Sequence, residues 1–403
     1  MKKEFLLFLV SVSLLVFSSC QKKQEPAKPY LIMLSLDGFR WDYPAYANTP
    51  VLDSLQEAGV IAESLKPSFP TKTFPNHYTI ATGLYPDHNG LVNNSFFAPD
   101  LDKFYRISDR EAVENGDFYG GEPIWVTAEK QNVTAATFFW VGSEAKIEGV
   151  RPEYWYKYDK SVPFKSRVDT VKYWLSLPEA KRPHLILWYY YQPDHIGHEA
   201  GPYSEETMAM VEKLDSLLGY YFTQMRKLPR FDKLNFIITS DHGMTETSND
   251  RVVVIDQFID TADLDILTGG NPVLNIKVKP GELEKVYRQL KSVPHIYAWK
   301  HDSVPARLHY GHNPRTLDII VAAYPGWSIV TSWRNRVGKG NHGYDNDFKD
   351  MHAIFYAAGP AFKKGFIHPT FENVNIYPLI TRIMNLKPAP VDGKFENVET
   401  MLR

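Results

Sequence analysis

Three aspartates in this chain stand at the ends of short apolar runs, and two of them have a histidine close behind. Asp37 follows Tyr30–Leu36, Asp194 and His198 follow His184–Tyr191, and Asp241-His242 follows Phe236–Thr239. Carboxylate oxygens mixed with imidazole suit zinc or a similar divalent ion, and five such groups exceed what one tetrahedral site takes. The set calls for two metals. A third imidazole, His342, lies in Gly340-Asn341-His342-Gly343-Tyr344-Asp345, where glycines on both sides let the backbone pass close to a ligand. Thr73, in Pro70-Thr71-Lys72-Thr73-Phe74-Pro75-Asn76-His77, stands just ahead of a helix expected over Asn76–Ala81 and ended by Gly83. Orphan backbone N–H groups and the positive dipole end at such a place suit a phosphate group. A threonine hydroxyl is a weak nucleophile until a metal lowers its pKa. Alone, Thr73 reads as an N-cap; beside these motifs it reads as a nucleophile.

The elements that must position these groups are buried strands, since the runs are short and rich in β-branched or aromatic residues. In open α/β sheets the ligand crevice lies beyond the carboxyl ends of the strands, so the three carboxylates and their imidazoles should meet at one sheet edge. Thr49-Pro50 opens a helix with a cap and a first-turn proline, and Gly59 closes it. Thr134–Trp140 and Ala353–Ala358 read as further strands, and Ser204–Phe222 as a long helix with Glu205 and Glu206 in its first turn. Strands alternating with helices make the class α/β, a central mostly parallel sheet flanked by helices. From about Val252 to Trp333 the pattern turns to short runs such as Val273–Val278 and Ile319–Ala322, which reads as an inserted α+β subdomain; His309 and His312 fall there as ordinary polar residues.

With 403 residues, 44% of them hydrophobic, the chain can bury a large core, and a formal net charge of −2 leaves no basic footprint for long nucleic acid. Met1-Lys2-Lys3, the apolar stretch Phe5–Phe17 and Ser18-Ser19-Cys20 describe a secretory signal. Cys20, the single cysteine, resembles the lipidation cysteine of bacterial lipoproteins, with Phe17 a loose match to its box. The expectation is an exported bacterial lipoprotein held at a cell-envelope membrane only through its N-terminal lipid, with Gln21–Pro29 as tether and residues 30–403 as the catalytic domain. In that setting the glycosylation pattern Asn132-Val133-Thr134 is idle.

Seven stretches resemble, in order, the nucleotide pyrophosphatase/phosphodiesterase family of the alkaline phosphatase superfamily. They are Ser35–Arg40, Phe69–His77, Tyr85–Gly90, Gly121–Trp125, Gln192–His198, Ser240–Met244 and Gly340–Asp345. The resemblance implies two Zn2+ per chain, one held by Asp37, Thr73, Asp241 and His242, the other by Asp194, His198 and His342. It implies that Thr73 attacks phosphorus to form a phosphoryl-threonine, without a general-base histidine, and that Asn94, beside Asn93, holds a phosphoryl oxygen. Phe74 and Tyr158 match positions where rings sandwich a nucleobase; Tyr154, Trp155 and Tyr156 are the neighbouring alternatives to Tyr158. The segment from Trp140-Val141-Gly142-Ser143-Glu144 to Tyr158 resembles the loop kept by nucleotide-cleaving members, with Val141 where many relatives have proline. The implied enzyme is a monomeric catalytic module, without the somatomedin-like and nuclease-like domains of secreted vertebrate members. It cleaves small nucleotide substrates to nucleoside 5′-monophosphates. A choline-phosphate or glycerophosphodiester hydrolase on the same metals is the alternative. A phosphomonoesterase would want another cation, for which Lys72 is the only near candidate, and Thr73-Phe74-Pro75-Asn76 lacks the C/S-x-P-x-R setting of a sulfatase.

Overall fold

The computed structural model describes residues 28–403; the signal-like segment, Cys20 and most of the expected tether lie outside the described residues. Among the described residues no helix is long and apolar enough to cross a membrane. Tyr30–Leu36 is a strand with every residue buried, and it pairs in parallel with both Leu185–Tyr190 and Leu234–Thr239. These three occupy the middle of an eight-stranded sheet whose order is Phe366–His368, Val60–Ala62, Phe355–Ala358, Leu234–Thr239, Tyr30–Leu36, Leu185–Tyr190, Ala135–Phe138 and Tyr154–Trp155. Phe355–Ala358 runs antiparallel to both its neighbours, and the other pairings are parallel. The α/β class expected from the alternation of elements is the one observed.

Successive residues of a strand point to opposite faces, and the first strand divides accordingly. Leu31 and Met33 join one hydrophobic cluster, beneath the helices Thr73–Thr82, Ile124–Lys130 and Ile376–Ile383. Ile32, Leu34 and Leu36 join the other, beneath Pro50–Ala58, Phe164–Ser176 and Glu205–Arg226. Within the stretch read as a subdomain, Leu264–Gly270, Val273–Val278, Ile319–Ala323 and Ile296–Lys300 form an antiparallel sheet in that order. The helix Leu283–Lys291 packs on one face of it, while Val273, Ile320 and Ala322 on the other face join the first main cluster.

Several boundaries differ from the sequence reading. The helix expected from Asn76 begins at Thr73, with Lys72 as its N-cap, because a proline at the third helical position needs no partner for its missing N–H. The long helix runs on to Arg226, with the Ser204 hydroxyl accepting from Thr207 N. Thr49 caps nothing: its hydroxyl is buried without a partner, and the Val51 and Leu52 amides donate instead to the Asp215 carboxylate of the long helix, at 3.1 and 2.9 Å. The late strand covers only Phe355–Ala358, since Ala353 is drawn into isolated bridges with Arg40 and Leu65.

Candidate metal centre and nucleophile

Registers Leu36↔Tyr190 and Ser35↔Thr239 bring the three central strands to the same edge, so the segments carrying Asp37, Asp194 and Asp241 emerge side by side. Hydrogen bonds lock them together. Asp194 N donates to the Asp37 carbonyl at 2.9 Å, Gly38 N to Asp241 Oδ1 at 3.2 Å, and Phe39 N to Ser240 Oγ at 2.9 Å. Gly38 is at φ +66°, and a Cβ there would meet Asp194 Cα and Cβ at 2.8 Å, so only glycine lets the two segments approach this closely. Asp194 and His198 are the first and fifth residues of the short helix Asp194–Ala200, which puts both side chains on one face.

The histidines are oriented by their backbones. His242 Nδ1 lies 2.8 Å from the Gly243 carbonyl, His198 Nδ1 2.8 Å from the Gly340 carbonyl, and His342 Nδ1 2.8 Å from the Thr71 carbonyl. A carbonyl only accepts, so each Nδ1 carries the proton and each Nε2 presents a lone pair, as a metal-ligating imidazole requires. His198 Nε2 and His342 Nε2 lie 3.3 and 3.5 Å from Asp194 Oδ1. His242 Nε2 lies 3.0 Å from Asp241 Oδ2, 3.4 Å from Asp37 Oδ1 and 3.2 Å from Thr73 Oγ1. Two groups of donor atoms, each within 4.8 Å of one another, result: Asp194, His198 and His342, and Asp37, Asp194 and His242. Asp194 therefore borders both sets, a position that spacing alone did not indicate.

Three buried carboxylate oxygens here, Asp37 Oδ1, Asp194 Oδ1 and Asp241 Oδ2, have no hydrogen-bond partner. Burial, and then the charges of Asp241 and Asp194, hold the Asp37 carboxyl well above the usual range. Burial pushes Asp194 and Asp241 the same way but is outweighed by attraction to neighbouring imidazoles in their protonated form, His198 above all for Asp194, and His242 with His77 for Asp241. Burial, helped by His242, holds His342 far below its ordinary value and therefore neutral. Converging carboxylates with orphaned oxygens and neutral imidazoles lack positive charge, and divalent cations are what such a donor set fits.

Thr73 opens its helix half-exposed, and Phe74 N donates to Asn94 Oδ1 at 3.0 Å. Asn93 instead points inward, its amide donating to the Val273 carbonyl and Asn275 Oδ1 at 3.3 Å each. A cleft of about 220 Å³ opens beside Thr73, walled by Phe74, Tyr158, Phe139 and Tyr189 and reaching the ion-paired Arg110 and Glu144. Of the four neighbouring aromatics, Tyr158 alone lines it; Tyr154 and Tyr156 pack on Trp174, and Trp155 lies under Arg151. His309 stacks on Tyr85 and His312 pairs with Asp302, both apart from the centre.

Residues without an assigned role in the sequence also serve the centre. His77 Nδ1 lies 2.9 Å from the Thr73 carbonyl and 3.3 Å from Asp241 Oδ2, and its Nε2 2.8 Å from Ser35 Oγ. Its place four residues after Thr73 on one helix was the readable signal. The Tyr189 hydroxyl donates to Asp37 Oδ2 at 2.5 Å, which nothing in an apolar strand announces.

Residues 31–345 match the family model described as type I phosphodiesterase / nucleotide pyrophosphatase. The chain belongs to that family. Among similar proteins, human ectonucleotide pyrophosphatase/phosphodiesterase family member 5 is 35% identical over 407 residues, spanning 100% of this chain and 84% of the relative. Venom phosphodiesterase CdcPDE of Crotalus durissus collilineatus is 37% identical over 93% of this chain but 46% of its own length, so this chain spans about half of that longer relative. Among solved structures, murine ectonucleotide pyrophosphatase/phosphodiesterase 5 superposes with a TM-score of 0.89 at 34% identity, covering 93% of this chain and 100% of that one. An inactive variant of the same murine protein in complex with AMP gives 0.90 at the same identity and coverage.

Proposed function

We propose that this enzyme hydrolyses phosphodiester and pyrophosphate bonds of nucleotides, releasing nucleoside 5′-monophosphates through a phosphoryl-threonine at Thr73. The observation that carries the reading is Thr73 Oγ1, 3.2 Å from His242 Nε2, at the mouth of a cleft with Phe74 and Tyr158 in its walls. The relatives' names as nucleotide pyrophosphatases and phosphodiesterases, and the AMP complex of the murine protein, support it. The donor set fits two zinc ions, one held by Asp37, Thr73, Asp241 and His242 and the other by Asp194, His198 and His342. When bound, the ions supply the positive charge that lowers the hydroxyl's pKa and neutralises phosphoryl oxygens.

The chain's own groups do the positioning. Phe74 and Tyr158 stack on the base and aim the phosphorus at Thr73 Oγ1; Asn94, whose Oδ1 is held by Phe74 N, turns its amide N–H to a phosphoryl oxygen. His77 braces both the Thr73 carbonyl and Asp241, which fixes the nucleophile relative to the carboxylate. At its N-terminus the helix opening on Thr73 turns the positive end of its dipole toward developing negative charge, while Phe74 N and Asn76 N are already held by Asn94 and the Lys72 carbonyl.

The test is parallel turnover of p-nitrophenyl thymidine 5′-monophosphate, p-nitrophenyl phosphate and p-nitrophenyl phosphorylcholine by the zinc-loaded chain and its Thr73→Ala variant. Preference for the thymidine ester, abolished in the variant, is the expected result. Preference for phosphorylcholine would overturn the base-sandwich assignment, and activity surviving in Thr73→Ala would overturn the nucleophile. Export and lipid attachment at Cys20 complete the proposal, tested by fatty-acid labelling that Cys20→Ser should abolish.

A further inference from the structure

The metal donors occupy one edge of the main sheet, and the chain preceding Tyr30 meets the fold at the opposite edge. Tyr30, Leu185 and Leu234 open the three central strands there, in the registers Leu31↔Leu185 and Tyr30↔Leu234. Lys28 stands two residues before the first strand, its Nζ donating to the Asn132 carbonyl at 2.5 Å. Lys181 and Lys233 precede the second and third strands, and Lys227 follows the long helix Glu205–Arg226. Phe355–Ala358 runs the other way, so its exit also lies here: Ala361 N donates to Asn235 Oδ1 at 2.9 Å, and Lys363 and Lys364 follow. A groove of about 470 Å³ between these segments is walled by Lys28, Glu179, Arg230 and Lys233 among others. Lys28, Lys181, Lys227, Lys233 and Lys364 are exposed, and among the described residues neither they nor Lys363 has an acidic partner. Glu179 is already held by Arg182 and His184, while Glu57, Asp232 and Glu399 stand unpaired among the cations. A cation after a helix C-terminus complements the helix dipole, which accounts for Lys227. The other five stand on connections between strands and long helices, where that reason is absent. With −2 on the whole chain, this edge is a positive face on an otherwise acidic molecule.

Resting on export and lipid attachment at Cys20, we propose that this edge docks on an anionic phospholipid surface and holds the metal centre turned toward solution. Cys20 precedes Lys28 by eight residues, a span of at most about 29 Å, so a lipid there keeps this edge close to the headgroups. Lys22 and Lys23 add two charges on the way. Attraction between cations and an anionic surface reaches about one Debye length, roughly 10 Å at 0.1 M salt. The basic edge can come that near, whereas the metal centre lies beyond it by the length of the seven-residue first strand, about 20 Å. A lipid alone leaves the body free to pivot on its tether, and a basic cluster is the second signal that makes attachment firm. Soluble substrate then reaches Thr73 from the solution side, and the bilayer never covers the cleft.

The experiment places the zinc-loaded, lipid-bearing full chain on vesicles of phosphatidylcholine alone and of equal parts phosphatidylcholine and phosphatidylglycerol. Cys20 is the single cysteine and carries the lipid, so Thr223→Cys, in the last turn of the long helix, or Ser108→Cys, in a cleft wall with Lys72 and Asn94, gives one thiol to label. Energy transfer to a headgroup-labelled lipid then reads the distance of each end from the bilayer. On the anionic vesicles position 223 should lie nearer the headgroups than position 108 by roughly 20 Å. That difference should be lost on neutral vesicles, at about 1 M salt, where the Debye length is about 3 Å, and in the combined variant Lys227→Gln/Lys233→Gln/Lys363→Gln/Lys364→Gln. The combined variant should keep turnover of p-nitrophenyl thymidine 5′-monophosphate within about twofold, which shows that it folds and retains metal. Equal distances on the anionic vesicles, a difference that survives in the combined variant, or self-association in place of docking would overturn the proposal. Failure of the unaltered chain to float with neutral vesicles would overturn lipid attachment instead, and salt-sensitive flotation with the anionic vesicles alone would still support the basic edge.

Discussion

Gly38→Ala tests whether the close approach of two strand ends sets the metal geometry. The residue sits at φ +66°, where an alanine costs about 1–2 kcal/mol. Its Cβ would lie 2.8 Å from Asp194 Cα and Cβ, against an ordinary carbon–carbon contact of about 3.5–4.0 Å, so the segments must part by roughly 0.7 Å or more. That movement strains the 2.9 Å bond from Asp194 N to the Asp37 carbonyl and the 3.2 Å bond from Gly38 N to Asp241. All three carboxylates change their mutual spacing. The stability cost is small beside the roughly 5–15 kcal/mol of a folded domain, so the chain should still fold, melting a few degrees lower. Catalysis suffers more, because a misplacement of about 1 Å in a preorganised site costs on the order of 100-fold. The expected result is native circular dichroism, reduced zinc content by elemental analysis after dialysis, and a roughly 30- to 100-fold lower kcat/KM on p-nitrophenyl thymidine 5′-monophosphate. Full zinc content with activity within about threefold of the unaltered enzyme would refute the reasoning, since the site would then tolerate the displacement.

Thr73→Ala should lower kcat by at least about 10³-fold while its melting temperature changes little, and Thr73→Ser should retain a measurable fraction. Phe74→Ala and Tyr158→Ala should each raise KM for the thymidine ester by about 5- to 150-fold, the equivalent of losing about 1–3 kcal/mol of base stacking, with a smaller change in kcat. Chelation should abolish turnover and also lower the melting temperature, because ions bound only by the folded state at about 1,000 times Kd stabilise it by about 4 kcal/mol; equal melting with and without chelator would contradict the metal assignment. His352, buried and bonded to Ser64 Oγ and the Asn346 carbonyl, is lowered to about 4 by burial and then by the Lys349 charge. It is neutral in the fold and charges more readily when unfolded. Its contribution is therefore intact above about pH 6.5 and is lost as pH falls from 6.5 toward 4, about 3 kcal/mol in all. Urea titrations from pH 7 to 4.5 should show that decline, and His352→Gln should flatten it.

The central strands were legible because their burial on both faces leaves continuous apolar runs. Tyr30–Leu36 was read to the residue, and Leu185–Tyr190 and Leu234–Thr239 to within two at each end. The ligand-type residues were legible for a related reason: the residue that follows such a run must emerge at the sheet edge. What escaped depends on partners far away in sequence. No local pattern says that Asp215 will take the amides that Thr49 was expected to cap. The helix carrying Thr73 starts three residues earlier than its expected start at Asn76, because Pro75 in the first turn gives up only an N–H that has no partner there. Asn93 and Asn94 are adjacent and chemically identical, and only the small sheet, by claiming Asn93 through Val273 and Asn275, separates an inward amide from one near Thr73. A cleft of about 530 Å³ joins Lys72, Asn94, Asn271 and Arg334, which no periodicity connects.

On the proposed reading, the two sides of Thr73 are built from materials that do not mix. One is aromatic and ends at a paired Arg110 and Glu144; the other is open, free of carboxylates and cationic. The donor atoms between them come from the strand ends and from the helix starts that follow them, tied to one another and packed over two cores, where substitutions strain the fold. The outer walls come from surface segments, Tyr158 on one side and Trp333–Arg336 on the other, whose replacement strains little. Substrate preference can therefore change by exchange of a few exposed side chains while the nucleophile and the metal donors stay in place.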